Sequence, residues 1–373
     1  MNTLMGIILT DDKNTHLGAL TENRAVSALP IGGRYRLIDF MLSNMVNSDI
    51  DHVGIATQYN YQSLMDHLGT GKAWDLNRKN HGLFILPPFI SRESAAHAGG
   101  DLDILHGITN FIKRSTYDYV LLTKGSIIFN ATFNDMFKFH KDKNADVTVL
   151  YNTEDDADSE FLSRHTVLKT DEDNHVTDMV KFHHNPDSKK VSLDTYIISR
   201  SLLLNIIEDA FSHGCHDFVF DVLIKNISAY RIFAYEAKGY VGRVESIGSY
   251  YSNNMNLLDN TVRKEIFLSK NKIYTKVKDQ VPTHYGDNAV VYDSLVADGC
   301  QIEGRVENSI IFRGVNIERG AVVKNSIIMQ NSVIQSNCYI ENAVLDKEVT
   351  VKAGKTLTGQ PNYPFVIPKG NII

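Results

Sequence analysis

The 373-residue chain predicts an α/β protein in two parts: a doubly wound, mostly parallel sheet covered by helices, then a parallel β-helix of hexapeptide repeats. Two observations carry this. Through the first two-thirds, short β-branched and apolar runs alternate with amphipathic stretches, the pattern of strand–helix–strand units. In the last third, Val306-Glu307-Asn308-Ser309-Ile310-Ile311 recurs as Val323-Lys324-Asn325-Ser326-Ile327-Ile328 and again as Ile340-Glu341-Asn342-Ala343-Val344-Leu345, 17 residues apart each time.

Taken in order, residues 4–9, 52–57, 119–123, 146–151 and 195–198 read as strands. Between them 38–47, 61–68, 104–113 and 134–143 suit covering helices. A sheet built this way places ligands at the C-terminal ends of its strands. Residues 251–285 read as a connector, with a helical start and a Lys-rich run, so the parts divide as 1–250, 251–285 and 286–373. A fainter repeat, Val291-Tyr292-Asp293-Ser294-Leu295-Val296, precedes the strong copies by 15 residues, with Gly299, Gly304, Gly314 and Gly320 at corners. In-phase repetition of short strands is the mark of a β-solenoid, and a β-sandwich does not require it.

Composition narrows the function classes. A net charge of −6 speaks against nucleic acid or an anionic membrane as partner. The three cysteines, Cys215, Cys300 and Cys338, lack metal-like spacing and suit reduced thiols. No basic segment followed by a long apolar run opens the chain, which points to a soluble, cytoplasmic protein.

The chemistry-bearing residues begin after the first strand. Leu9-Thr10-Asp11-Asp12-Lys13-Asn14-Thr15-His16 is followed by Arg24-Ala25 and by Gly32-Gly33-Arg34-Tyr35-Arg36-Leu37-Ile38-Asp39-Phe40. With these stretches the chain resembles the glucose-1-phosphate adenylyltransferase (ADP-glucose pyrophosphorylase) family, whose loop at this place runs Ala-Gly-Gly-x-Gly-Thr-Arg. The resemblance covers nearly the whole chain. It implies a nucleotidyltransferase (Rossmann-like) domain followed by a left-handed parallel β-helix.

The same resemblance shows what is missing. The three loop glycines fall on Asp11, Asp12 and Asn14, and the loop arginine on His16. Glycines let backbone N–H groups close on phosphate, whereas carboxylates repel it. The two aspartates that hold Mg²⁺ in the family fall on Gly125 and Arg243, with Glu245 able to supply a carboxylate only if the local register shifts. A phosphate-contacting lysine becomes Val26, and the lysine of Asp-Phe-Gly-Lys-Asp is lost in Asp217-Phe218-Val219-Phe220-Asp221. Lys124, beside Gly125, reads as part of an ordinary strand-to-loop turn.

Other candidates carry less. His165, His175, His183 and His184 match no standard metal spacing and read as solvated loop histidines. The run 154–160 reads as a solvated acidic loop, and Trp74 as scaffold.

The resemblance therefore points to the GlgD-type, non-catalytic members of the family. It implies a regulatory subunit, with no catalytic residue, metal or cofactor of its own. Such a subunit assembles with a catalytic glucose-1-phosphate adenylyltransferase subunit, as a tetramer, in glycogen biosynthesis. Arg24 and Arg36 match basic family positions that bind anionic, phosphorylated effectors between the domains. The alternative is an active, divergent sugar-phosphate nucleotidyltransferase with its own Mg²⁺ ligation, for which Asp39, Asp101, Asp103 and Asp221 are available. A hexapeptide-type acyltransferase fits poorly, since residues 286–355 contain no histidine base.

Overall fold

The computed structural model describes residues 3–10, 16–87, 100–183, 186–361 and 363–373. A nine-stranded sheet organises the first part. Its strands are β1 (Leu4–Leu9), β2 (His52–Ala56), β3 (Gly82–Leu86), β4 (Tyr119–Lys124), β5 (Val147–Thr153), β6 (Val167–Thr170), β7 (Val176–Val180), β8 (Lys190–Ser199) and β9 (Ile232–Glu236).

The strands β3, β2, β1 and β4 lie side by side and parallel. Strand β8 then enters antiparallel to β4 and to β5, and β9 closes that side parallel to β5. The start of β8 also pairs with β6, which carries the antiparallel β7. The doubly wound half thus keeps its parallel core, and a long antiparallel strand extends it.

Both faces are covered. Met5, Ile7 and Leu9 pack with Leu102, Leu105, Leu203 and Ile206 on one side. Leu4 and Ile8 pack with Ile38, Met41, Leu42 and Met45 of helix Leu37–Val46 on the other. This is the period-two alternation of a strand buried on both faces. Trp74 is 1% exposed within the second cluster, a scaffold residue as its context suggested. The helix expected at 104–113 is two pieces, Asp101–Gly107 and Thr109–Arg114, because the chain leaves helical geometry at Ile108.

From Ile247 two helices, Ile247–Asn256 and Asn260–Phe267, lead to the solenoid. There three five-stranded sheets, all parallel, form the sides of a left-handed β-helix prism. Its register restates the repeat: Val306 pairs with Val323 and Val323 with Ile340, while Val291 pairs with Val306.

The corners follow from chemistry. Asn308, Asn325 and Asn342 occupy equivalent corners with left-handed φ of 41°, 45° and 51°, a conformation asparagine tolerates better than most residues. The Asn308 amide donates to Asn325 Oδ1 at 2.7 Å. Gly304 serves a different need, since a Cβ there would lie 2.4 Å from the Ala321 carbonyl of the next coil. Inside the prism Cys300 and Cys338 are each 1% exposed, and all three cysteines are free thiols.

The two parts share a core. Leu20, Val26, Leu29, Phe40, Tyr250 and Leu257 pack against Ile310, Phe312, Ile327, Met329 and Val344 of the solenoid. Among the described residues, no helix is long and apolar enough to cross a membrane.

Candidate functional site

A cleft of about 400 Å³ opens at the C-terminal end of β4, within the size range of small-ligand sites. Its lining includes His16, Lys124, Ser126, His165, Lys181, Asp194, Arg243 and Glu245.

Two turns that the resemblance makes metal-binding do meet here. Ile127–Ile128 pairs antiparallel with Gly242–Arg243, so Arg243 faces Ile127 and stands beside Ser126. The residue of the first turn that lines the cleft is Ser126, not Gly125. A Cβ on Gly125 would point away, 3.0 Å from Ser27 Cβ and 3.2 Å from Ile38. Gly125, where the resemblance puts the first metal aspartate, therefore offers the cleft no side chain, and its neighbour Ser126 faces it instead.

Arg243 fills the second position, its side chain 8% exposed. Its guanidinium donates to Glu154 Oε1 at 2.6 Å, to Asn152 Oδ1 at 2.5 Å and to the Ser192 carbonyl at 3.2 Å. Burial lowers its pKa, opposed by Glu154 and Glu245. Glu154 is therefore the ion-pair partner of a cleft residue, which corrects, at this one position, the reading of 154–160 as a solvated acidic loop.

Glu245 lies 2.8 Å from His165 Nε2. Burial pushes its carboxyl up, but the His165 bond and the nearby Arg243 outweigh this and hold it below the usual glutamate range. His165 is 8% exposed with Nδ1 2.7 Å from the Phe161 carbonyl, so it is a structural histidine and not a solvated one. Lys124 reaches Asp194 at 3.1 Å, and Lys181 reaches Asp217 at 2.7 Å. Asp217 also accepts from the Val219 and Phe220 amides.

Mg²⁺ needs hard oxygen ligands in near-octahedral array. A serine, a buried guanidinium and a carboxylate already bonded to histidine do not supply them. Among the described residues no group of three or more His, Cys, Asp or Glu is arranged to hold a metal. Among the described residues, those at the two turns do not fit the family's metal.

The remaining expected positions fall as follows. Asp11, Asp12, Asn14 and His184 lie outside the described residues. The His16 amide donates to the Glu245 carbonyl at 2.6 Å, and its own carbonyl accepts from Ile247, tying this edge of the cleft to the second turn. Val26 is 5% exposed and belongs to the shared core, where an apolar side chain suits it. Of the spare carboxylates, Asp39 is fully buried, 2.5 Å from His67 and capping the Arg36 amide. Asp103 bonds His216, and Asp221 bonds Lys225. Asp101 alone of these lines the cleft.

Arg24 and Arg36 stand at the seam between the two parts. Arg24 Nη2 donates to both oxygens of Asp346, at 2.9 and 2.7 Å, with both side chains at most 5% exposed. Arg36 donates to the Ser63 carbonyl and hydroxyl. Burial and the neighbouring Arg24 lower its pKa to about 10 against the pull of Asp39. Lys347 follows Asp346 in the chain, and burial together with Arg36 and Arg24 lowers it to about 7. Cations outnumber carboxylates at this seam.

Comparison with known proteins places this geometry. The nucleotidyl transferase family model matches residues 5–260, and a GlmU-like C-terminal hexapeptide model matches 278–362. The chain belongs to the glucose-1-phosphate adenylyltransferase family. It is 38% identical to the glycogen biosynthesis protein GlgD of Bacillus subtilis (strain 168), over 99% of this chain and 96% of that protein. Identity is also 38% to GlgD of Geobacillus stearothermophilus, over 100% and 97% of the two chains. To the glucose-1-phosphate adenylyltransferase of Geobacillus stearothermophilus it is 36%, over 85% and 82%. Family members thus differ in how much of their length aligns with this chain.

Proposed function

We propose that this chain is a regulatory, catalytically impaired subunit of glycogen biosynthesis. It assembles with a catalytic glucose-1-phosphate adenylyltransferase subunit in the cytoplasm and modulates the reaction of ATP and glucose-1-phosphate to ADP-glucose and pyrophosphate. The observation that carries this reading is the buried Arg243 beside Ser126, where adenylyl transfer needs oxygen ligands for a metal. Full-length likeness to GlgD proteins supports it, and Geobacillus stearothermophilus has relatives under both names.

The solenoid supplies surface for a hetero-oligomer, which we take to be a tetramer. Its first coil exposes Tyr285, Val290 and Tyr292, and its last exposes Tyr363 and Phe365. Open solenoid ends of this kind are natural contact faces. A phosphorylated effector at Arg24 and Arg36 fits the excess of positive charge at the seam. Coupling between such a site and the partner's turnover is typically ~1–3 kcal/mol.

The test is pyrophosphate release from ATP, Mg²⁺ and glucose-1-phosphate, by this chain alone and then mixed with the catalytic subunit from the same cell. Silence alone with altered kinetics in the mixture is the expected result. Turnover by the pure chain refutes the reading.

A further inference from the structure

Strand β8 shifts register against β5 between Ser192 and Thr195, and Asp194 sits in that bulge. Its backbone is left-handed, with φ 46°. Glycine fills such a position freely, and an L side chain does so at a cost. The chain nevertheless places an aspartate there, lining the cleft.

The contacts of that carboxylate indicate why. Its Oδ2 lies 3.1 Å from Lys124 Nζ, and Oδ1 accepts from the Tyr196 hydroxyl at 3.1 Å. Burial pushes the carboxyl's pKa up, but Lys124 and then Lys181 outweigh this and keep it below the usual aspartate range. It is an anion paired with Lys124, while Lys181, on the same cleft, is paired with Asp217. Among the described residues, Asp217, Glu154, Glu245 and Glu160 are also paired with cleft cations, and none of them has left-handed backbone.

We propose that Asp194 is a built-in anion that occupies the place of a ligand's phosphate at Lys124, and thereby excludes sugar phosphates from the cleft. A phosphate entering here must displace a carboxylate tethered on the strand next to that of Lys124, so it competes against an intramolecular partner. Asp194 is a specificity-determining residue: it makes the cleft refuse the class of ligand its size would admit.

The inference is independent of the regulatory reading, because it concerns binding by this chain alone and that reading is decided by turnover in the mixture. Calorimetry on the full chain with glucose-1-phosphate, and with inorganic phosphate as a second probe, tests it. Glycine and asparagine both accept left-handed backbone, so Asp194→Gly and Asp194→Asn keep the fold, which circular dichroism verifies. Both should bind glucose-1-phosphate at least about tenfold more tightly than the parent, equivalent to ~1.4 kcal/mol. Adding Lys124→Gln to Asp194→Asn should abolish the gain. Unchanged affinity in the folded variants, a parent that already binds as tightly, or a gain that survives Lys124→Gln each overturns the proposal.

Discussion

Arg24 and Asp346, 322 residues apart, form a two-pronged ion pair at the seam between the sheet domain and the solenoid. Neither side chain is more than 5% exposed. Removing one partner strands a buried charge, so Asp346→Ala should cost ~3–5 kcal/mol of stability. Replacing both with apolar residues of similar volume, as in Arg24→Met with Asp346→Leu, should recover most of that loss. Urea unfolding of the three variants decides it. A single variant as stable as the parent would show that the pair is dispensable.

Lys347 gives the seam a pH dependence with a defined sign. Its folded pKa is lowered to about 7, below the ordinary lysine value, by burial, Arg36 and Arg24. Between these two values the unfolded chain holds more protons than the folded one, so stability rises with pH. From pH 7 to about pH 9.5 the melting temperature should climb on account of this group, and Lys347→Met should flatten that climb. A slope identical in both proteins counts against the assignment.

Arg36 is the side chain through which the effector proposal can be tested most simply. Its removal leaves the Arg24–Asp346 pair in place. In the complex with the catalytic subunit, Arg36→Ala should weaken the response to a phosphorylated effector by roughly 5-fold or more. Because Lys347 gains charge below pH 7, the same response should strengthen as pH falls from 8 to 6. Titrating effector against ADP-glucose synthesis at both pH values measures each effect, and an unaltered Arg36→Ala response removes the site.

Ser126 and Arg243 both line the cleft, so an aspartate at each should build a carboxylate pair there. Ser126→Asp with Arg243→Asp is expected to bind Mn²⁺ or Mg²⁺ with a measurable calorimetric signal, and the parent is expected to give none. Arg243→Asp alone should bind neither, since one carboxylate is a weak site for a hard cation. Metal binding by the parent equal to the double variant's would contradict the account of Arg243.

At the solenoid corners, Asn325 has φ 45°. Both Asn325→Ala and Asn325→Gly lose the side-chain bond from Asn308, but only alanine resists left-handed backbone. Alanine should therefore be the less stable of the two by about 1–2 kcal/mol. Equal stabilities by denaturant melts would mean that the corner relaxes.

The solenoid was legible because its repeat is a contact map in itself: residues 17 apart are hydrogen-bonded neighbours, as Asn308 and Asn325 are. The parallel strands were legible from apolar runs buried on both faces. The site was less so. Arg243 meets Glu154 across 89 residues and His165 meets Glu245 across 80, and no local pattern announces either pair. Counting along the turn singles out Gly125 but does not say that its neighbour Ser126 is the one facing the cleft. Asp194 did leave a trace: an aspartate inside the run Val191-Ser192-Leu193-Asp194-Thr195-Tyr196-Ile197 is out of place in a strand.

The shared core of Val26, Phe40 and Tyr250 with Ile310, Phe312 and Met329 bears on how such chains can be recombined. Each part completes the interior of the other, so the boundary in sequence is not a boundary in packing. A chimera that joins this sheet domain to a relative's solenoid inherits half of a jigsaw cut for another half, however cleanly the splice falls in the connector. Grafts between family members should succeed when the facing residues travel together, and yield insoluble chains when they do not.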